Sequence, residues 1–246
     1  MKENSDNNWI SFSDIMTVLM IIFLFISISY MMQVKKEQAQ LLESQAQRDE
    51  IFKEFRETKE ELYNELNTVF KDDFKEWKVV LDKDLSIKFT NPDVLFQSGK
   101  TNIRPYFSSI LKEFLPKYFN IILQDKYRNK ISEIRVEGHT DNVPAPKYDK
   151  DPYIANTLLS QKRSTEVIKF LRNMDYFKRL LPEKINLVEF LLTANGLSYG
   201  RTVDENGELT IISHKPINNE KSRRVEFRII TTSDKLIDKV LKELNN

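Results

Sequence analysis

The sequence contains no cysteine, only two histidines, five glycines and eight prolines among its 246 residues. Without cysteine there is no disulfide framework, thiolate nucleophile, cysteine-ligated zinc, iron–sulfur cluster or lipidated N-terminal cysteine. That absence suits either side of a membrane and selects no compartment. His139 and His214 leave little material for a histidine-rich metal site or repeated general acid–base chemistry, so neither a metal nor another cofactor is expected. A dominant charge is also missing: 38 Lys+Arg against 37 Asp+Glu leave +1, which gives no general drive toward nucleic acid, and no direct nucleic-acid partner is expected. Most enzyme classes lose their usual chemistry at this point, and a non-enzymatic role is expected.

At about 150 residues per domain the length admits one medium domain and something more. The apolar residues are unevenly spread. Ile15 to Val34 has no charged residue, whereas Lys35 to Lys78 is dominated by Lys, Glu, Asp, Arg and Gln. As a helix, the apolar run is roughly 30 Å long, the thickness of a bilayer's hydrocarbon core. Trp9 and Tyr30 stand where interfacial anchors would, and Lys35 and Lys36 end the run. A cleaved signal peptide is the competing reading, with Ser27-Ile28-Ser29 as its small-residue site; Glu3, Asp6 and Asp14 against Lys2 oppose it, since an n-region is basic. The expected segments are an N-terminal segment (1–9), a transmembrane helix (10–34), a helical linker (35–77) and a C-terminal domain (78–246).

Asp14 lies about 7 Å beyond Trp9 along a helix, where a carboxylate is costly in lipid. It either faces a hydrated path and moves protons or ions, or snorkels back to the headgroups. Thr17, one turn on, and Ser13 are able to serve a relay or to bond the backbone. The linker lacks Gly and Pro, favours helix, and carries an amphipathic stripe that strengthens from Phe52 onward. The stripe suits a dimer coil or a single stalk packed on its own domain.

From Trp77 the pattern changes to alternating elements: strands at 78–81, 85–89, 94–96, 131–137, 187–193 and 225–231, and helices at 104–123 and 156–172, with Pro116 expected to break or kink the first. These predict one α/β domain with helices packed on a sheet. Residues 197–220 read as a long surface loop or hairpin insertion. Gly138-His139-Thr140-Asp141-Asn142 follows a strand directly, and Arg163 lies near the start of the next helix. Asp141 toward an ammonium and Arg163 as a fork for a carboxylate would suit a zwitterion; alternatively Thr140 and Asp141 cap the loop and Arg163 is a solvated charge.

Gly138-His139-Thr140-Asp141-Asn142-Val143-Pro144, Leu159-Ser160-x-x-Arg163-x-x-x-Val167 and Arg223-Arg224-Val225-Glu226 together resemble the signature series of OmpA-like peptidoglycan-binding domains. The resemblance covers about residues 79–231 and includes Gly99-x-Thr101-Asn102-Ile103. Phe12-Ser13-Asp14-Ile15-Met16-Thr17 and the apolar run after it resemble the ion-carrying helix of flagellar-stator (MotB-like) B subunits. The short helical linker, the insertion and the Ser-Phe-Ser-Asp start of the helix are most similar to the B-subunit family of the Zorya anti-phage defence systems.

The resemblance implies a single transmembrane helix plus an OmpA-like α/β domain with a mixed sheet. It implies that Asp141 and Arg163 bind the diaminopimelate of peptidoglycan, with Asn102, His139, Thr140 and Arg223 lining the site. Asp14, with Thr17 beside it, becomes the proton-accepting group of a homodimer held inside a ring of multi-pass A-type membrane subunits. The family places the chain in the bacterial inner membrane, N-terminus in the cytoplasm and domain in the periplasm, whereas Lys35, Lys36 and Arg48 alone would place the domain in the cytoplasm. The function that the resemblance implies is an ion-driven stator subunit, with protons as the implied ion, in anti-phage defence; the alternatives are a passive envelope tether or a flagellar stator subunit, and, in a different class, a hydrolase using His139 and Asp141. Ser222 and Ser164 depart from the family's usual Asn and Ala.

Overall fold

The computed structural model describes residues 4–90, 95–97 and 99–232, with side chains described from residue 12 onward. Helix α1 runs Asn4–Trp77. The chain divides into two compact units, one ending at Lys53 and one opening at Glu54. Thus the second unit opens at Glu54 rather than at the expected residue 78.

In the first unit the large apolar side chains between Phe12 and Met32 are all exposed. A helix that is apolar all round and covered by no other described residue fits a membrane span. It is the one helix among the described residues long and apolar enough to cross a bilayer.

In the second unit the remainder of α1 supplies a wall of the core. Thr58, Leu62, Leu66, Phe70, Phe74 and Trp77 recur every three or four residues and are buried, which places them on one face. Lys126 bonds Glu61 and Glu65, Tyr127 Oη donates to Glu65 Oε2 at 2.8 Å, and Lys117 pairs with Asp73. This polar margin ties the helix to the domain along the buried stripe.

The sheet is built from β1 (Val79–Leu81), β2 (Ser86–Phe89), β3 (Ile131–Gly138), β4 (Leu192–Gly196) and β5 (Val225–Thr231). Their order is β1-β2-β5-β3-β4, with only the β3/β4 pair parallel. A parallel pair requires a crossover. Helices α2 (Pro105–Ile122), α3 (Pro152–Asn173), α4 (Asp175–Lys178) and α5 (Pro182–Leu191) precede β4, and α3 to α5 form that crossover. Short helices α6 (Thr210–Ser213) and α7 (Asn219–Ser222) lie in the insertion before β5.

The core is rich in aromatic rings. Phe114 of α2 lies 5.0 Å from Phe227 of β5, 5.1 Å from Phe89 of β2 and 5.3 Å from Phe70 of α1, centroid to centroid. Tilted and edge-on rings at these separations add attraction beyond the area they bury.

Several expectations are corrected. Residues 187–191 belong to α5, and the strand begins at Leu192; the run Leu187-Val188-Glu189-Phe190-Leu191 satisfies both periods, and Pro182 at the first helical turn decides for helix. Pro116 sits inside α2 without ending it. Its missing donor costs the carbonyl of Lys112 a partner, and Lys112 is exposed where water substitutes. The expected strand at 94–96 reduces to a bridge between Phe96 and Ile103, with Val94 outside the described residues. Helix α3 starts at Pro152, capped by Asp151 Oδ1, which accepts from the amides of Tyr153 and Ile154 at 2.8 and 3.0 Å. The insertion contains a bridge between Val203 and Leu209 and buries Thr202, Val203 and Asp204, so it is folded onto the domain.

Helix α3 approaches the ends of β3 and β4 through two glycines. A Cβ on Gly138 would stand 2.3 Å from the carbonyl oxygen of Ser160, and one on Gly196 2.5 Å from the amide nitrogen of Gln161. Backbone meets backbone at both places, so no side chain is able to yield. Gly196→Ala in the detergent-solubilised chain is expected to destabilise the domain by about 1–3 kcal/mol or more, read as a lowered melting temperature. Val80→Ala, on an exposed edge position, is expected to stay within about 0.5 kcal/mol of wild type; equal melting temperatures for both variants would contradict the close packing.

Candidate functional site

Strand β3 ends at Gly138, and the next three residues turn across the sheet edge. Their backbone is pinned from two sides: the His139 amide donates to the carbonyl of Arg224 at 3.0 Å and the Thr140 amide to that of Ser198 at 2.9 Å. Ser198 is itself fixed by the Ser160 hydroxyl, which accepts its amide at 3.1 Å. Asp141 Oδ1 accepts the Val143 amide at 3.1 Å, and Oδ2 accepts from Arg223 Nη1 at 2.7 Å. Asn156 Nδ2 donates to the Val143 carbonyl at 3.1 Å, tying the loop to α3.

A cavity of about 300 Å³ opens beside this loop. Thr140, Asp141, Arg163 and Arg223 lie in its wall, with Phe96, Val143, Pro144, Tyr148 and Arg224. Of the six residues expected at the wall-binding site, the structure brings four together. Asn102 is exposed and lies outside the lining, although its neighbour Ile103 pairs with Phe96. His139 is buried behind the wall rather than in it.

Arg163 is 7 % exposed. Its Nε donates to the Lys100 carbonyl at 3.0 Å and its Nη2 to the Gln97 carbonyl at 3.4 Å, and the guanidinium lies 5.1 Å from the Phe96 ring centroid. Among the described residues no carboxylate forms an ion pair with it. Burial pulls its pKa down to about 10, with Asp141 and Tyr148 opposing and Arg223 reinforcing that shift. The side chain therefore stays cationic at neutral pH and lacks a matching anion. Across the rim, Tyr148 Oη donates to the Gly99 carbonyl at 3.3 Å, where Gly99 adopts φ +62°. Neither Tyr148 nor Phe96 carried a sequence signal for the site: one sits in a polar loop and the other in an apolar triplet.

Below the cavity Glu137, His139 and Glu226 are buried together, with potential donor atoms within 4.8 Å of one another. His139 Nε2 stands 3.6 Å from an oxygen of each glutamate. The spacing is that of a metal triad, but guanidinium groups already occupy the carboxylates. Glu226 Oε1 accepts from Arg224 Nε at 2.5 Å and Oε2 from Arg228 Nη2 at 3.2 Å. Glu137 Oε2 lies 3.7 Å from Arg228 Nε and 3.9 Å from Arg201 Nη1. Glu137 Oε2 and both His139 ring nitrogens have no hydrogen-bond partner among the described residues, yet Arg201, Arg224 and Arg228 already face the two carboxylates, so a divalent ion would add positive charge to a cluster with an excess of it, and these donors do not fit a metal. Burial alone would raise the Glu226 carboxyl; the positive charge facing it, His139 once protonated in acid and Arg224, outweighs burial and holds the pKa at about 2. Burial lowers the pKa of His139, partly offset by Glu137, which keeps the ring neutral.

The departures at Ser164 and Ser222 have structural partners. The Ser164 hydroxyl bonds the Gln161 carbonyl at 2.9 Å, and the Ser222 hydroxyl accepts the Val203 amide at 3.0 Å, fastening the insertion. In the first unit Asp14 is exposed, and the Thr17 hydroxyl donates to the Ser13 carbonyl at 2.8 Å. Of the two roles open to Thr17, this is the backbone bond.

Fold and site together define a membrane-anchored domain whose mixed sheet carries a charged, ligand-sized cavity. The chain is 31% identical to the Zorya protein ZorB of Escherichia coli over 245 residues, covering 98% of this chain and 95% of that protein. It belongs to the ZorB family. No protein-family model matches it. Among solved structures, the periplasmic domain of Helicobacter pylori MotB aligns at 22% identity and TM-score 0.39, over 65% of this chain and 86% of that chain. A shorter MotB fragment aligns at 21% identity and TM-score 0.40, over 68% and 99%.

The buried His139 makes stability depend on pH. The unfolded chain binds a proton at this ring below about 6.5 while the folded chain resists it, so stability is lost as pH falls below that value. Glu226 acts lower: its contribution is present above the ordinary carboxylate pKa of 4.5 and is lost as pH falls through about 2. The melting temperature is expected to drop between about pH 7.5 and about pH 5.5, and His139→Gln to flatten that slope. A wild-type melting temperature that is constant over this window would contradict a neutral buried ring.

Proposed function

We propose that this chain is the B-type, stator-like subunit of an anti-phage defence complex, anchored to peptidoglycan through its C-terminal domain and driven by ions through its membrane helix. The observation that carries the anchoring is Arg163, a buried guanidinium with no carboxylate partner, sharing a cavity wall with Asp141. A buried cation without a partner is costly, and a ligand that brings a carboxylate removes that cost. Asp141, in the same wall, offers the complementary charge for an ammonium. A diaminopimelate side chain presents both groups, and on this reading the domain lies in the periplasm, where peptidoglycan is, with the N-terminus in the cytoplasm.

Membership of the ZorB family supports the defence role and an inner-membrane, single-pass location. An exposed carboxylate on an otherwise apolar helix supports a relay at Asp14, beside Thr17. Protonated, Asp14 is neutral and inexpensive to face a low-dielectric ring of A-type subunits; deprotonated, it seeks polar partners. Alternation between these states in two copies steps the ring while the wall-bound domains hold the dimer still. Two modest wall contacts per dimer become a firm anchor when both engage at once.

Asp141→Ala and Arg163→Ala, each in the full detergent-solubilised chain, are expected to lower co-sedimentation with peptidoglycan sacculi about tenfold or more. Unchanged binding in both variants, with wild-type melting temperatures, would refute the assignment. Asp14→Asn is expected to abolish protection against phage in cells while assembly and sacculus binding persist; full protection would reduce the helix to a passive tether.

A further inference from the structure

Asp141 is the only carboxylate among the described residues of the cavity wall, and it already holds a cation of its own chain. Its Oδ2 accepts from Arg223 Nη1 at 2.7 Å, and its Oδ1 is engaged by the Val143 amide at 3.1 Å. The pair is asymmetric: the Asp141 side chain is 6% exposed, whereas that of Arg223 is 33% exposed. The guanidinium thus covers the carboxylate from the solvent side, where it has room to swing away. The other charges of the wall are the exposed Lys147 and the guanidinium groups of Arg224 and Arg163, which are differently matched. Arg224 is balanced by Glu226, whereas Arg163 donates to two backbone carbonyls and lies against the Phe96 ring, with no described carboxylate in ion-pair contact with it.

We propose that Arg223 sets the specificity of the cavity by competing, from within the chain, for the ammonium position at Asp141; this rests on the wall-ligand reading above. A ligand with ammonium groups alone reaches Asp141 only by replacing one cation with another, and it does so beside the unmatched charge of Arg163. The exchange yields little and the repulsion remains. A ligand that carries a carboxylate with its ammonium gains Arg163 at once, and the displaced Arg223 is within reach of the same carboxylate. The cavity therefore discriminates against amine-only side chains, such as the lysine end of lysine-type wall peptides, and in favour of amino-acid ends of the diaminopimelate type. Arg223 acts as a charge that must be displaced, so a lysine at this position should preserve the discrimination and a neutral side chain should not.

Calorimetric titration of the full detergent-solubilised chain with meso-diaminopimelate and with 1,5-diaminopentane tests this. Wild type is expected to prefer diaminopimelate. Arg223→Gln is expected to narrow the preference about tenfold or more by binding the diamine more tightly, and Arg223→Lys to retain it. If Arg223→Gln still binds diaminopimelate and shows the wild-type preference, or if Arg223→Lys loses the preference as the glutamine variant does, the role of Arg223 is overturned and the wall-ligand reading stands. If wild type binds no diaminopimelate, the wall-ligand reading falls and takes this inference with it. Should Arg223→Gln melt below the titration temperature, the lysine variant decides alone, because its retained or lost preference reads the same competition.

Discussion

Helix α3 lies with its backbone against the ends of β3 and β4, at Gly138 and Gly196, closer than any side chain would permit. That approach sets the position of every group in the cavity. It places the Ser160 hydroxyl against the amide of Ser198, and so fixes the backbone that receives Thr140. It places the Gln161 amide across β4, accepting from the Gly196 amide at 2.7 Å and donating to the Ala194 carbonyl at 3.0 Å. One turn of the same helix then carries Arg163 under the Phe96 loop, while β3 delivers Asp141 to the opposite side. The two ligand-facing charges are held apart by main-chain packing, which does not relax as flexible side chains do.

The charges form two layers with opposite accounts. In the lower layer Glu137 and Glu226 are matched by Arg224, Arg228 and Arg201 around a neutral His139. That layer is structural: it supports the loop and the start of β5, and a broken pair there leaves a buried charge with no partner. In the upper layer Arg163 has no paired carboxylate among the described residues, and the cation paired with Asp141, Arg223, is partly exposed. The proposed recognition uses the layer whose charges are not fully matched, because only there would a ligand improve the electrostatics.

The first unit follows a simpler rule. Its helix has apolar side chains on all faces and none of them buried by the chain, so a bilayer or membrane partners complete it. In this setting a single carboxylate has consequences that a surface carboxylate lacks. Its cost in lipid depends on its protonation state, the property on which the proposed relay rests.

Local pattern carried the long apolar helix, the ends of β5 and most of β3, since periodicity is a short-range property, while motif resemblance pointed to Asp141, Thr140, Arg163 and Arg223, which share the cavity wall. The run from Leu187 to Leu191 defeated the same approach because it satisfies two periods at once, and the packing of Val188 and Leu191 in the core goes with the helix. Likewise the stripe from Leu62 to Trp77 showed an amphipathic face, but not that this face closes the domain's own core. The sequence by itself determined which segment is apolar enough for lipid and which residues carry charge on loops beside a strand and a helix. Only the tertiary structure decided that His139 turns down into a balanced cluster, that Asn102 stays out of the wall, and that Tyr148 and Phe96 enter it. Those outcomes depend on which side of a sheet a residue meets and on what lies across from it, and chain-distant neighbours such as Glu226, Arg223 and Gly196 set both.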